Sequence, residues 1–140
     1  MILQTDRRLN KDINDFGCYL MSIMFLANKY TGIQLSTVVI GRLFTECVEL
    51  GYIENNGTYR AFINSAEKIF NHLGLKTKYN DRHDPPKYKC NRNEIEILCL
   101  KYEWGKHFVV GDGRGNIAYN PMGRTQSGYV LQSKRIFKLL

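Results

Sequence analysis

Gly17-Cys18-Tyr19-Leu20-Met21-Ser22-Ile23-Met24-Phe25-Leu26-Ala27-Asn28-Lys29 is the stretch on which the reading of this chain turns. Leu20, Ile23, Met24 and Ala27 recur at helical spacing, and Phe25 and Leu26 widen the apolar arc, so the stretch predicts a helix set into a core. Its first residue carries a thiol. A helix N-terminus and a nearby imidazolium can together lower a thiol pKa by several units from about 8.5. Gly17, just before it, lets the backbone approach a neighbour closely and turn into the helix.

Working outward, Gly32 stops this helix, and Ser36 is an N-cap for a second one reaching Leu50. Val39, Ile40, Leu43, Phe44 and Cys47 form its inward face, and Gly51 closes it. A third helix is predicted to open at Asn64, with Glu67 completing a capping box, and to close at Leu73-Gly74. The period then changes. Leu75, Thr77 and Tyr79 alternate with polar residues, and Asp84-Pro85-Pro86 breaks the chain. Strands are predicted from Ile95 to about Tyr102, from His107 to Gly111, from Ile117 to Asn120 and from Lys134 to Leu139. Asp112-Gly113-Arg114-Gly115-Asn116 makes the turn between the middle two. Helices over about residues 10–74 and an antiparallel sheet over about residues 75–140 predict one α+β domain across residues 1–140.

The composition agrees with one domain. A chain of 140 residues with 44% hydrophobic and 24% charged residues is long and apolar enough for one packed core. The longest apolar stretch, Cys18 to Ala27, falls far short of the ~20 residues that span a bilayer. The N-terminus shows no basic region ahead of an apolar one, so a cytoplasmic protein without a membrane partner is expected. Four cysteines without a CxxC pair predict free thiols, and three scattered histidines predict no metal site and no cofactor. The net charge of +7 is lopsided: residues 1–75 balance seven basic against seven acidic side chains, while residues 76–140 carry thirteen against six. Such a half could attract nucleic acid, an acidic partner or anionic cell-wall polymer, or simply be a solvated sheet face.

Two further segments give Cys18 its meaning. Trp104-Gly105-Lys106-His107-Phe108-Val109-Val110 puts a histidine near the start of a strand, and Asn120-Pro121 ends the next one. A helix-start thiol, a strand imidazole and a carboxamide are the parts of a nucleophile triad, here in the order Cys, His, Asn. In that scheme His107 takes the thiol proton and later protonates the leaving group, while Asn120 orients the ring. The geometry expected of it is a Cys18 sulfur within about 4 Å of one imidazole nitrogen and the Asn120 side chain at the other. Each part has an ordinary reading as well: a small core cysteine, a strand-end histidine and a turn-forming Asn-Pro.

Phe16-Gly17-Cys18 leading a helix, Gly105-Lys106-His107-Phe108-Val109-Val110-Gly111-Asp112, and Ile117-Ala118-Tyr119-Asn120-Pro121 together resemble the bacteriocin-processing-peptidase-like branch of the papain-like cysteine protease superfamily. The chain also resembles small proteins of bacterial and phage genomes that share a Gly-Cys-Tyr-Phe-Met-Ser-like start. The resemblance implies a papain-like fold and hydrolysis of an amide in a peptide or cell-wall peptide by Cys18, His107 and Asn120. It also exposes two departures. That branch has Gly after the nucleophile, whereas this chain has Tyr19. It has a Gln about six residues upstream as oxyanion donor, whereas this chain has Asp12, a carboxylate that would repel the developing charge. Asn14 is then the oxyanion candidate, with Asn10 and Gln4 behind it. The alternative is an inactive papain-fold binding module, phage-encoded, that engages an acidic or nucleic-acid partner.

Other patterns carry less. Gly111 to Gly115 lacks the Lys-Ser/Thr and the following helix of a phosphate loop. Residues 34–53 could mimic a helix-turn-helix, but Glu46 and Glu49 outweigh Arg42 on the helix that would read DNA. Tyr79, Tyr88, Tyr102 and Tyr119 among lysines leave single-strand stacking as a lesser option.

Overall fold

The computed structural model describes residues 1–80 and 83–140. The elements run α1 (Lys11–Phe16), α2 (Cys18–Thr31), α3 (Thr37–Glu49), β1 (Ile53–Glu54), β2 (Phe62–Ile63), α4 (Ala66–His72), β3 (Thr77–Tyr79), β4 (Glu94–Tyr102), β5 (Gly105–Gly111), β6 (Ile117–Tyr119) and β7 (Val130–Leu139). The fold is α+β, with the longer helices N-terminal and an antiparallel five-stranded sheet, ordered β3-β7-β4-β5-β6, in the C-terminal half. β4, β5 and β6 form a meander, and β7 returns along the other side of β4. No helix among the described residues is long and apolar enough to cross a membrane.

The central helix is α2. Leu20, Met21, Ile23, Met24 and Ala27 are all completely buried, and a helix buried over most of its circumference belongs inside the molecule. Each such Leu, Ile or Met contributes roughly 1.5–3 kcal/mol by leaving water. α2 lies against β5, where Tyr19 stacks on Phe108 with ring centroids 4.5 Å apart. Gly32, at φ 74°, ends the helix in the left-handed conformation that a side chain would disfavour. Ser36 caps α3 by accepting from the Val39 N–H at 3.2 Å, as expected from the sequence.

The sheet carries apolar residues on both faces. Ile95, Ile97, Val110 and Phe137 join the helices in the main core. Leu98, Leu100, Tyr102 and Val109 form a second cluster with Ile117 and Leu131. The second face closes over a buried ion pair, Glu96 with Lys134 at 2.9 Å, both side chains fully buried. One Glu96 oxygen also accepts the N–H groups of Gly113 and Gly115, each at 2.9 Å, and so pins the β5–β6 turn.

Several details differ from the sequence reading, among them that β7 begins at Val130, four residues before the expected Lys134, and β5 at Gly105 rather than His107. α4 begins one residue later than expected, capped by Ser65, whose hydroxyl accepts from Lys68 N–H at 3.2 Å. Asn64 instead donates to the Gly51 carbonyl, and Glu67 accepts the Tyr79 N–H at 2.7 Å, tying α4 to β3 rather than closing a capping box. α1 and the short β1–β2 pair have no counterpart in the periodic pattern, since six residues and two residues are too few to show one.

Candidate functional site

Cys18 is the first residue of α2, directly after the α1–α2 junction. That junction needs glycine. A Cβ on Gly17 would sit 2.6 Å from the Ile13 carbonyl oxygen, which already accepts the Gly17 N–H at 2.8 Å. The tight turn thus delivers a half-buried cysteine to the start of a 14-residue helix. Burial nonetheless pushes the thiol pKa up, and nearby backbone N–H groups, that of Phe108 first, only partly oppose this.

His107 lies near the start of β5, opposite Leu100. Its Nε2 is 2.8 Å from Asn120 Oδ1. The carboxamide orientation is set independently: Asn120 Nδ2 donates to the Arg124 carbonyl and to Thr125 Oγ1, and Oδ1 also accepts the Met122 N–H at 2.9 Å. Oδ1 has no proton to give, so Nε2 must carry the hydrogen, and in the neutral ring Nδ1 is left with a bare lone pair. Burial lowers the His107 pKa below its ordinary 6.5, and the Asn120 bond offsets this in part. The resting pair is therefore a neutral thiol and a neutral imidazole at pH 7.

Cys18, His107 and Asn120 line one cavity of about 220 Å³, together with Gln4, Asn14 and Trp104. All three residues singled out from the sequence are brought to this cavity. The His–Asn leg is a formed hydrogen bond, whereas no thiol–imidazole hydrogen bond joins Cys18 to His107. Phe108 stacks on α2, and Val110 lies in the main core, whereas His107 shares the parity of Val109, which belongs to the second cluster. His107 nonetheless lines the same cavity as Cys18.

The oxyanion candidates separate clearly. Asn14 lines the cavity, but its Nδ2 already donates to the Gln4 carbonyl at 2.7 Å and the Asp6 carbonyl at 3.0 Å, so both amide hydrogens are spent. Asn10 caps α1, accepting from the Ile13 N–H at 2.8 Å. Asp12 does not line the cavity. It pairs with Arg60 at 2.6 Å and Asn55 at 3.0 Å, and these bonds hold its carboxyl below the usual range. Gln4 is different. Its main-chain N–H donates to the Pro121 carbonyl at 3.0 Å, next to Asn120, and its Nε2 spends one hydrogen on the Asn14 carbonyl at 3.1 Å. The second Nε2 hydrogen has no described acceptor, and Oε1 is buried without a partner. A residue 14 positions before the thiol carries no local signal of this, because only the pairing with Pro121 brings it there.

Cys18 also borders a larger cavity of about 870 Å³, lined by Phe16, Tyr19, Ala66, Tyr79, Phe108 and Arg135 among others. Asp15, Trp104 and Lys106 line both spaces, so the thiol stands where a small cavity meets a larger one. Among the described residues no cluster of three or more His, Cys, Asp or Glu could hold a metal ion. No curated protein and no solved structure matches the chain. Residues 1–139 match the family model described as "Protein of unknown function, DUF261", and the chain belongs to that family.

Proposed function

We propose that the protein is a papain-like cysteine hydrolase that cleaves an amide in a peptide or cell-wall peptide, with Cys18 as nucleophile. The observation that carries this reading is the His107–Asn120 bond: it leaves Nδ1 as the basic nitrogen of a ring that shares a cavity with a helix-start thiol. The raised thiol and lowered imidazole call for general-base activation rather than a standing ion pair. His107 Nδ1 takes the thiol proton as the sulfur attacks the amide carbon. The imidazolium then protonates the departing amine, and a water deprotonated by the same nitrogen hydrolyses the thioester. Gln4 replaces Asn14 as the proposed oxyanion donor, because its Nε2 keeps a hydrogen that Asn14 has spent.

The test is turnover of a peptide and muropeptide panel by wild type and Cys18→Ser. Thiol-dependent cleavage lost in the variant supports the reading, and its absence across the panel overturns it. The neutral resting pair favours a second reading, a binding module on the same scaffold whose basic half meets an acidic or nucleic-acid partner. Salt-sensitive binding that survives Cys18→Ala, without turnover, would select it.

A further inference from the structure

Arg135 is 7% exposed, yet among the described residues no carboxylate pairs with its guanidinium. An arginine this deeply buried ordinarily has a counter-ion, because burying an uncompensated charge is costly. Arg135 has one described hydrogen bond, from Nη1 to Ser133 Oγ at 2.8 Å, and its guanidinium lies 5.4 Å from the Phe108 ring centroid. Nε and Nη2 have no described protein acceptor. Register explains the placement: Arg135 lies opposite Ile97 on β7, on the face that β4 and β5 turn to the helices, and it borders the larger cavity beside Cys18.

The acids bordering the same space are already occupied. Asp15 pairs with Lys11 at 2.9 Å and lies 3.7 Å from Arg60, and Glu67 accepts the Tyr79 N–H. The remaining groups reinforce a positive field. Lys106 borders the cavity, and the charged form of His83, also on its wall, is disfavoured by burial first and then by Arg135 and Lys106. We infer that the larger cavity binds a carboxylate-bearing segment of a ligand, with Arg135 as its anchor and Phe108 holding the guanidinium plane. One guanidinium with two nitrogens open toward the cavity suits a monoanion, since Arg is the residue of choice for a planar carboxylate. A polyanion would run the same wall past Asp15 and Glu67. The carboxylate can belong to an acidic side chain or to a free peptide C-terminus. In combination with the proposed hydrolase, on which this step rests, the scissile amide would lie near such a group.

The chain's one tryptophan, Trp104, is exposed and borders both cavities, so its fluorescence reports binding directly. Four probes distinguish the sources: acetyl-Ala-Ala-Glu-Ala-Ala-amide, its Gln counterpart, acetyl-Ala-Ala-Ala with a free carboxylate, and the same peptide amidated. They are titrated into wild type and Cys18→Ala, so that binding is read apart from turnover. The expected result is at least tenfold tighter binding of one or both carboxylate peptides over their neutral partners, lost in Arg135→Gln and weakened but retained in Arg135→Lys. Equal binding of charged and neutral peptides by wild type overturns the inference without recourse to any variant. So does a preference that survives Arg135→Gln. Carboxylate preference without cleavage supports the anchor while the hydrolase fails, and cleavage indifferent to charge does the reverse.

Discussion

The two buried polar groupings of this molecule differ in how completely their bonding capacity is used. Around Glu96 and Lys134 nearly everything is spent. The pair lies at 2.9 Å with no exposure, Glu96 accepts two turn N–H groups, and Lys134 also donates to the Tyr88 carbonyl at 2.6 Å. Around Cys18 capacity is left over. His107 Nδ1 is bare, Gln4 keeps an amide hydrogen and an orphaned oxygen, and Arg135 has two nitrogens without a described acceptor. A fully buried polar atom left unsatisfied costs roughly 1–3 kcal/mol; Gln4 Oε1 is such an atom in the Cys18 cavity, and Thr77 Oγ1 is another outside both cavities. Saturation ties the turn at Gly113 into the fold, and under the proposed reading the unspent valences at the Cys18 cavity are the ones a ligand would use.

The largest effect that can break this contrast is on rate. Cys18→Ser should lower thiol-dependent turnover by about 10⁴-fold or more with the fold intact by circular dichroism. Retained turnover would remove the nucleophile from the proposal. At the saturated end, Lys134→Met leaves Glu96 buried and alone and should cost about 3–5 kcal/mol in denaturant unfolding. The alkylation rate of Cys18 in the surviving folded protein should stay as it was. A small loss of stability there would mean that saturation does not distinguish the two groupings.

Gln4→Ala should lower turnover by about 10²-fold with a small change in stability, whereas Asn14→Ala should act mainly on stability, because its amide hydrogens hold two main-chain carbonyls. Reversal of that order would restore Asn14 as the oxyanion donor. A pH series sharpens the His107 part. Its folded pKa lies below 6.5, so the ring is neutral at pH 7, and the acid limb of turnover should fall below pH 6.5 rather than at it. The unfolded chain takes up this proton first as pH drops. Stability should therefore decline as pH falls through 6.5, and His107→Gln should flatten that slope.

The smallest effects concern groups outside the cavity. Iodoacetamide should modify Cys18, which borders both cavities, ahead of Cys90, which lines neither, and of buried Cys47 and Cys99. Mass-spectrometric mapping that ranks Cys90 first would count against an accessible Cys18. Asp12→Gln should leave turnover within about threefold and cost no more than roughly 0.2–1 kcal/mol, as expected for a partly exposed ion pair with Arg60. A large gain in rate would mean that Asp12 faces the oxyanion after all.

Much of the fold was legible because it is local. The spacing of Leu20, Ile23 and Met24, the Ser36 cap and the alternation through β3, β4 and β5 reflect rules that act within a turn of helix or a few strand residues. α1 and the β1–β2 pair escaped because each is shorter than a period. The cap of α4 slipped by one residue because Asn64 and Ser65 are both good caps, and only the contact of Asn64 with Gly51 decides between them.

The same division runs through the site. Sequence by itself determined an α+β chain with a thiol at a helix start, a histidine on a strand and Asn-Pro one hairpin later. The tertiary structure decided which atoms are free to act. Pairing of Gln4 with Pro121 across most of the chain chose the carboxamide with a hydrogen to spare, and the β7–β4 register placed Arg135 beside Phe108 with no carboxylate partner among the described residues. Residue type and spacing set what a side chain can do. Whether its valences are already taken depends on partners distant in sequence, and only the folded chain brings those together.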